Sequence, residues 1–578
     1  MSKSSETESG AIRILLKKAR PFRKEYSVAI FAFLLKDSPA WVLPVITANI
    51  IDTVVAKGPI DSLYLLGGLA VLVLLQNYPM NMIYVRKSSS ATRAIALNLR
   101  TALTEHLQKL TLQFHQRVSS SVVQTKIVRD VENIELMIQQ SLPIALSGTF
   151  SLIGALVVVS LNIPVFLAVF GLVVPIGVLL LVVFRRKSKS KNEQFRSQVE
   201  EFSSQVGEMS SMLPVVRAHA IESSATAWVN ESAEQLRKKG VELDWLNGRF
   251  GALAWLSYQI LGVASLIVAA SFSILDVFPI TAGQVVLVAT YFGVIMGTAI
   301  ALLNIMPSLA KGIESVRSIE EVLSSQDLEQ NEGKREVIAI SGSIGLRGVT
   351  VELSGKDVLQ DISLEIPRNQ TCAFVGPSGS GKTTLLYTIL GLIRPSAGDV
   401  FFDSEPMSSL DMRTVRRHVA YVPQESVLLD GSLRDNVALG LIADDQKITM
   451  ALGLANLGTL LLHGGLDQVL GRSGIRLSVG QRQRLAIARA LYREPRVLVL
   501  DEATSSLDLD SERNIQKTLD ALNHQVTIVL VAHRLSTVKN ADKICYLENG
   551  RILESGSHQD LMQRRGSYYK MVEGKEMK

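Results

Sequence analysis

The sequence of 578 residues is poor in cysteine and in charge. Its 2 Cys exclude a disulfide-rich scaffold, and 40 Gly with 17 Pro exclude a collagen-like chain. Charged residues form 20% of the chain, against about 25% in an average soluble protein. The hydrophobic fraction of 47% is too high for a disordered chain. What remains is a chain of several domain-sized blocks with an oversized core or a membrane region.

The apolar residues are concentrated in six runs between residues 26 and 309. A helix needs about 20 apolar residues to cross the hydrocarbon core of a bilayer. The predicted spans are Ser27–Ile51, Leu63–Val85, Ile138–Leu161, Ile163–Phe184, Phe250–Leu275 and Val285–Leu309. Any single run fits a buried helix of a soluble protein, but no soluble core covers six helices that are apolar on every side. Six membrane-spanning helices are therefore predicted.

The small excess of basic residues, 60 Lys+Arg against 54 Asp+Glu, follows this topology. Basic side chains gather before the first run and in the long connections 86–137 and 185–249, whereas the other connections contain only Lys57. By the positive-inside rule both termini and both long connections are predicted to be cytoplasmic, in a bacterial inner or plasma membrane. The partner that the basic residues indicate is the lipid bilayer, and no nucleic acid is needed.

The two long connections exceed the length of ordinary loops. Their apolar residues recur with helical spacing, as at Leu103, Leu107 and Leu110. We expect the spanning helices to continue into the cytoplasm and to turn back near Val118–Val122 and near Val215–Ala220. After residue 325 the composition changes to that of an α/β domain. The predicted blocks are a membrane domain over 1–325, a linker over 326–340 and a second domain over 341–578.

A phosphate-binding loop follows the apolar run Thr371–Val375 and leads into a helical pattern. The segment 376–383 fits G-x-x-x-x-G-K-[ST] in the required strand, loop and helix context. Glycine allows the turn that points backbone N–H groups at phosphate oxygens, lysine supplies a charge, and threonine offers a hydroxyl to Mg²⁺. The predicted nucleotide-binding residues here are Gly376, Ser378, Gly379, Ser380, Gly381, Lys382, Thr383 and Thr384.

Two further apolar strands end at polar residues. Val497–Leu500 is followed by Asp501 and Glu502, a pattern typical of a buried parallel strand whose carboxyl end faces a ligand. Asp501 is predicted to hold Mg²⁺ with Thr383, and Glu502 to accept a proton from the attacking water. The strand-like segment 526–532 ends at His533, whose position favours a role in the same site. The two cysteines lie on strand-like runs and are expected to be buried.

The motifs around these strands resemble those of the ATP-binding cassette (ABC) family. Leu477–Gln481 reads Leu-Ser-Val-Gly-Gln and resembles the LSGGQ signature. Tyr421–Gln424 resembles the Q-loop, Ser505–Asp508 the D-loop, and His533 the switch histidine. The six spans, with Ile50–Asp52 and Thr281–Gln284, look like an exporter-type (type IV) half-transporter. The resemblance implies six helices with long cytoplasmic extensions, followed by an α/β P-loop ABC ATPase domain.

The resemblance also implies a dimer in which ATP lies between the P-loop of one subunit and the signature of the other. Ser478, Gly480 and Gln481 would act on the partner's nucleotide, with Asp508 at the same interface. Gln424 would contact Mg²⁺ and water. Leu353 occupies the position that is usually an aromatic residue stacked on adenine, so apolar contact without stacking is expected. The two cytoplasmic turns would couple the membrane helices to the ATPase domains.

Two other departures bear on the partner subunit. Val479 stands where the signature usually has glycine, and Arg472 where a glutamate is common. In heterodimeric members of the family, one subunit often keeps the catalytic glutamate while its signature is altered. The resemblance therefore favours a heterodimer with a homologous half-transporter, because Glu502 is intact, and a homodimer stays open. The expected activity is ATP-driven export of an amphipathic drug, lipid or peptide. The alternative is uptake of a metal–siderophore complex, since the motifs do not give direction.

The six spans disfavour a non-transporting ABC ATPase of DNA repair or translation, and intact Glu502 disfavours a channel. Lys36 and Asp37 within the first span are costly in lipid and are expected to face a cavity or a pairing partner. The other polar candidates for the substrate path are Asn77, Tyr258, Gln259, Tyr291 and Asn304, each of which fits helix–helix hydrogen bonding equally well.

Overall fold

The computed structural model describes residues 13–275, 280–353, 355–471, 477–502, 509–532 and 538–576. The chain divides into two compact units. One contains Met1–Gln108 and Ser120–Ser325, and the other contains Lys109–Ser119 and Gln326–Lys578. The first unit is helical, whereas the second is built around two β-sheets.

The helices before residue 325 are long. Their bounds are α1 Arg23–Asp37, α2 Pro39–Val55, α3 Ile60–Leu75, α4 Asn77–Leu107, α5 Leu112–Arg117, α6 Ser120–Thr125, α7 Val131–Asn162, α8 Phe166–Ser211, α9 Leu213–Ala218, α10 Glu222–Ile274, α11 Ala282–Asn304 and α12 Met306–Leu323. The helix α10 has 53 residues and is therefore about 80 Å long, against about 30 Å of hydrocarbon in a bilayer.

Five helical stretches among the described residues are long and apolar enough to cross a membrane. They are Arg13–Val55, Ile60–Leu107, Val122–Asn162, Glu222–Ile274 and Ala282–Leu323. The remaining predicted span, Ile163–Phe184, begins the helix α8. The predicted turns fall at the break between α5 and α6 and at the short helix α9, as expected for long helices that turn back.

Hydrogen bonds connect the end of α2 with the beginning of α11. The Asp52 carboxylate accepts hydrogen bonds from the Thr281 hydroxyl and the Gly283 N–H, both at 2.7 Å. A carboxylate at this place satisfies N–H groups that have no partner inside the helix. A Cβ atom on Gly283 would overlap the carbonyl oxygen of Ala48. The segments Ile50–Asp52 and Thr281–Gln284, which are far apart in sequence, therefore form one hydrogen-bonded joint.

The second unit contains two sheets and eight helices or helical turns of α type among its described residues after 325. Its strands are β1 Ile344–Leu353, β2 Lys356–Ile366, β3 Thr371–Val375, β4 Ala397–Phe402, β5 Glu405–Pro406, β6 Val419–Val422, β7 Val497–Asp501, β8 Thr527–Val531, β9 Lys543–Glu548 and β10 Arg551–Gly556. Its helices are α13 Lys382–Ile389, α14 Met412–Val415, α15 Leu433–Ala438, α16 Asp445–Leu454, α17 Val479–Tyr492, α18 Leu509–Leu522, α19 His558–Arg564 and α20 Ser567–Glu576.

The larger sheet carries the predicted site. Its strand order is β10-β9-β3-β8-β7-β6, in which β9, β3, β8, β7 and β6 run parallel. Every residue of β3, β7 and β8 is buried, as expected for parallel strands covered on both faces. Cys372 on β3 and Cys545 on β9 are both buried free thiols, which confirms their predicted burial. The smaller sheet, β2-β1-β4-β5, is antiparallel.

The polar segment after residue 325 forms hydrogen bonds both with residues next to α5 and with Arg416. The Glu329 N–H donates to the Lys109 carbonyl and the Thr111 N–H to the Asp327 carbonyl, both at 2.8 Å. The Glu329 carboxylate also accepts two hydrogen bonds from the Arg416 guanidinium, at 2.6 and 3.2 Å. Such a paired geometry is stronger than a single surface contact. The segment is therefore a fixed connection between the α5 region and the core of the second unit.

The joint at Asp52 predicts opposite effects for two glycines of the same helix. Gly283→Ala places a methyl group against the Ala48 carbonyl and should cost about 1–3 kcal/mol of stability. In Gly297→Ala the new methyl group meets nothing within 4 Å, so stability should be unchanged or higher by up to about 1 kcal/mol. Thermal unfolding of the full chain in detergent compares the two variants. Equal melting temperatures would contradict the close approach at Gly283.

Candidate functional site

The loop between β3 and α13 requires glycine at three positions. Gly376, Gly379 and Gly381 have φ values of 147°, 78° and 102°, a region that side chains disfavour. A Cβ on Gly381 would lie 2.9 Å from Cδ2 of Leu359 and 3.0 Å from the Val358 carbonyl oxygen. The loop therefore folds tightly against β2 and presents its backbone at the start of a helix, the usual geometry of a phosphate cradle.

Polar side chains of the loop point inward. The Lys382 side chain, in a residue 6% exposed, donates from Nζ to the carbonyl oxygens of Gly376 at 3.0 Å and Pro377 at 2.7 Å. The Ser380 hydroxyl oxygen is buried and has no hydrogen-bond partner among the described residues. A buried hydroxyl without a partner is costly, and a phosphate oxygen would satisfy it. The loop thus fits an anionic phosphate group.

The Asp501 carboxylate lies beside this loop at the carboxyl end of β7. It is 2% exposed, and the Thr383 hydroxyl donates to its Oδ1 at 3.4 Å. Burial raises the pKa of Asp501, and the neighbouring Glu502 raises it further, although hydrogen bonding to Thr383 acts in the opposite direction. A cation at this place would offset the cost of burying the carboxylate.

The donor set fits Mg²⁺ only together with a nucleotide. Thr383 and Asp501 supply two hard oxygen atoms, whereas Mg²⁺ takes six ligands and commonly completes them with phosphate oxygens and water. Among the described residues no group of three or more His, Cys, Asp or Glu side chains could hold a metal ion by itself. This arrangement is the expected one for a metal that arrives with its nucleotide.

Glu502 has an unusual backbone conformation that three contacts maintain. Its φ of 50° is left-handed, which costs about 1–2 kcal/mol for a residue other than glycine. Its N–H donates to the Val531 carbonyl at 3.0 Å, and its carboxylate accepts from Gln424 Nε2 at 2.8 Å. Its carbonyl oxygen accepts from Gln483 Nε2 at 3.2 Å. The predicted base and the predicted Q-loop residue are therefore in direct contact.

Gln483 is a site residue that the sequence reasoning missed. It lies on α17, directly after the signature, and is 3% exposed. The available signal was an amide in a helix otherwise rich in arginine and apolar residues, because such a group requires a partner when it is buried. Through Gln483 the helix that starts at the signature is connected to the backbone of Glu502 in the same subunit.

The signature residues form the open start of α17. The Ser478 hydroxyl accepts from the Gln481 N–H at 3.2 Å, and the Gln481 side-chain oxygen accepts from the Ser478 N–H at 2.8 Å. This capping box leaves Ser478 and Val479 exposed, Val479 by 55%. Gly480 occupies the first turn behind them. The positive end of the helix dipole therefore faces outward, where an anion would be favoured.

The other predicted residues are placed as follows. Ser378 lies in the loop, and Thr384 lies in the first turn of α13. Leu353 ends β1 opposite Lys356 and packs half-buried against the core of its sheet. Asp508, His533 and Arg472 lie outside the described residues.

Two family models match this chain. The ABC transporter transmembrane region matches residues 26–299, and the ABC transporter model matches residues 359–505. The second match contains the P-loop, Asp501 and Glu502, and the first contains five of the six predicted spans completely. Together the matches cover more than half of the chain, with both halves fused in one polypeptide.

Several bacterial relatives are similar over most of their length. An ATP-dependent lipid A-core flippase of Methylococcus capsulatus is 31% identical over 83% of this chain and 80% of its own. The Escherichia coli K12 protein of the same name is 30% identical over 82% of each chain, and the one of Syntrophus aciditrophicus is 28% identical over 96% and 93%. The structure of a bacterial Atm1-family ABC exporter with ATP bound shares the fold, with a TM-score of 0.79, 24% identity and coverage of 96% and 98%.

The raised pKa of Asp501 predicts how the nucleotide-free protein responds to pH. The folded protein favours the protonated carboxyl, so this contribution to stability is present at low pH and is lost as pH rises through the folded-state pKa. Asp501→Asn has no carboxyl group to ionise, so it does not lose this stability as pH rises. The melting temperature of the variant relative to wild type should therefore rise by a few degrees between pH 4.5 and pH 8.

The matched control for this experiment is Asp357→Asn at an exposed position, which should show no such trend. Asp501→Asn should also lose the stabilisation that Mg²⁺ with ATP gives to wild type. If the difference in melting temperature between the variant and wild type does not change from pH 4.5 to pH 8 without nucleotide, the cost of the buried carboxylate is refuted.

Gln483 predicts a loss in turnover rather than in ATP affinity. Gln483→Ala removes the donor to the Glu502 carbonyl and should lower kcat about tenfold, since a lost buried hydrogen bond costs about 1–2 kcal/mol. KM for ATP should change less than about twofold, because Gln483 does not line the P-loop. Steady-state ATPase assays compare it with the exposed control Gln446→Ala. A rise in KM with normal kcat would contradict a positioning role.

Proposed function

The chain belongs to the ABC transporter family, as an exporter-type half-transporter with fused membrane and ATPase domains, and we propose that it exports a lipid-like amphipathic molecule as one half of a dimer. It is an integral membrane protein whose ATP hydrolysis is coupled to transport. The observation that carries the proposed hydrolysis is the joint placement of the P-loop, Asp501 and Glu502 at one edge of the parallel sheet. The proposed lipid-like substrate is supported by the bacterial relatives.

Each residue of this edge has a proposed role in hydrolysis. The loop N–H groups, Ser380 and Lys382 bind the phosphates of ATP, and Thr383 with Asp501 holds Mg²⁺, which would neutralise charge on the phosphates. Glu502 accepts a proton from the attacking water, and Gln424 orients its carboxylate. The proposal keeps His533 and Asp508 in the same site and Leu353 against the adenine, by family resemblance.

The exposed signature supports the proposed dimer. Ser478, Val479 and Gly480 begin α17 on the surface, so a nucleotide held by a second subunit can approach the helix start. ATP would then join two ATPase domains, and hydrolysis would release them, which drives alternating access in the membrane region. The exposed Val479 side chain would enlarge the signature at this contact, which supports pairing with a homologous subunit over pairing of two identical chains.

Relatives support the substrate class and the location. The similar bacterial proteins carry the name of lipid A-core flippases, which supports a lipid-like substrate and a bacterial inner membrane. Export is favoured over the uptake of a metal–siderophore complex, because these relatives do not support uptake. The positive-inside distribution of basic residues supports cytoplasmic termini and cytoplasmic ATPase domains.

Replacement of the proposed base tests this function. Glu502→Gln keeps the size of the side chain but removes the proton acceptor, so kcat should fall by about 10²–10⁴ while ATP binding persists. ATPase assays and nucleotide binding on the purified full chain measure both, with Glu494→Gln at an exposed ion pair as control. Hydrolysis at the wild-type rate would overturn the assignment. If the chain purified alone forms a fully active homodimer, the proposed heterodimer is refuted and the ATPase assignment is not.

A further inference from the structure

The hairpin of β9 and β10 has a tight turn that contacts the P-loop. Asn549 and Gly550 form the turn, and both have a left-handed backbone, with φ values of 48° and 75°. Asn-Gly is the sequence that such a two-residue turn prefers. The Gly550 N–H donates to the Ser380 carbonyl oxygen of the P-loop at 3.2 Å. The Gly550 carbonyl oxygen accepts from the Gln360 N–H of β2 at 2.8 Å. The turn therefore connects the P-loop with β2.

The turn and the P-loop leave no room for a side chain where they meet their neighbours. A Cβ atom on Gly550 would lie 2.5 Å from the Val358 carbonyl oxygen, and one on Gly381 would lie 3.0 Å from the same oxygen. A Cβ atom on Gly376, at the start of the P-loop, would overlap the Leu547 carbonyl oxygen of β9. The P-loop and the hairpin thus pack backbone against backbone, so a displacement of the turn would also move the loop.

The hydrogen bond to Ser380 fixes the direction of one peptide group of the loop. The peptide bond between Ser380 and Gly381 is trans, so its C=O and N–H groups point in opposite directions. Because the Ser380 carbonyl faces the hairpin, the Gly381 N–H faces away from it. Gly381 is the N-cap of α13, where N–H groups without a helical partner attract an anion.

We propose that the turn at Asn549 and Gly550 is a positioning element for nucleotide binding, because it holds the Ser380–Gly381 peptide group in the orientation that binds phosphate. The turn itself does not have to contact the nucleotide, since its effect passes through the Ser380 carbonyl oxygen. Gly550 is thus a positioning residue and not a catalytic one. The inference rests on the proposed binding of ATP by the P-loop and adds an element outside this loop on which the affinity depends.

Gly550→Ala tests this role. The new methyl group meets the Val358 carbonyl oxygen and must displace the turn, so the Kd for ADP with Mg²⁺ should rise about tenfold. ADP is the probe because it is not hydrolysed and its diphosphate fits the P-loop of one subunit. Isothermal titration calorimetry on the full chain in detergent gives the Kd and the number of ADP molecules bound per chain. A loss of folded protein lowers this number, whereas a displaced loop raises the Kd.

The matched control is Gly333→Ala, at a glycine with a similar φ of 73° but with nothing within 4 Å of the new methyl group. Its Kd for ADP should stay within about twofold of wild type. In ATPase assays Gly550→Ala should raise KM for ATP about tenfold and change kcat less than about twofold, because the contacts of Glu502 are kept. Wild-type values of Kd and KM, or a fall in kcat at unchanged KM, would overturn the inference.

Hydrogen exchange of the unmodified chain is a second test, which does not depend on the folding of a variant. Coupling is reciprocal, so a turn that raises the affinity for ADP must itself be stabilised by ADP. Amide exchange in residues 547–552 should therefore become slower at saturating ADP. The control is the turn at Asp403 and Ser404, which has the same pair of left-handed residues, with φ values of 48° and 74°. That turn is held by Ser341 and Ser343 and not by the P-loop. Equal slowing in both turns, or none in 547–552, would overturn the inference.

Lys382→Ala separates this inference from the proposed function. The variant removes the ammonium of the P-loop and should raise the Kd for ADP at least about tenfold, while the turn is left intact. If Lys382→Ala weakens ADP binding and Gly550→Ala does not, the role of the turn is refuted and the P-loop assignment is kept. If neither variant weakens ADP binding, the proposed nucleotide binding by the P-loop is refuted as well.

Discussion

The hydrogen bonds around Glu502 are the constraint on which the proposed chemistry depends. The strand β7 is fully buried, so Asp501 and Glu502 leave the sheet at one fixed point. Glu502 then adopts a left-handed backbone, which Val531, Gln424 and Gln483 maintain. Three net contributions of about 1 kcal/mol each are sufficient to offset a strain of about 1–2 kcal/mol. The proposed base is therefore held by the Q-loop on one side and by the signature helix on the other.

In the membrane unit, side-chain hydrogen bonds also fix the backbone, here at the helix ends. Backbone polar groups at a helix end lack partners inside the helix and need them elsewhere in the protein. Asp52 supplies one at the start of α11, and Gln76 with Asn77 supplies others where α1 ends. These side chains connect segments that are distant in sequence. In the second unit, Glu329 joins the α5 region to Arg416 in a comparable way, which gives this region a rigid attachment.

Much of the fold was predictable because its signals are local. Apolar runs, the charge distribution and strands such as Thr371–Val375 depend on neighbouring residues, and the predicted fold class is confirmed. The proximity of Thr383 to Asp501 followed from a loop and a strand end that meet at one sheet edge. Gln483 was missed because its contact depends on the folded backbone of Glu502.

Movement of lipid driven by ATP tests the central claim most directly. The protein is reconstituted into liposomes with a fluorescent anionic lipid, and the fraction protected from an external quencher is measured. Mg²⁺ with ATP, added outside, reaches only ATPase domains that face outward. The account predicts that the protected fraction then rises, and that it does not rise with ADP. Hydrolysis at a normal rate without any change in the protected fraction would contradict export of a lipid-like substrate.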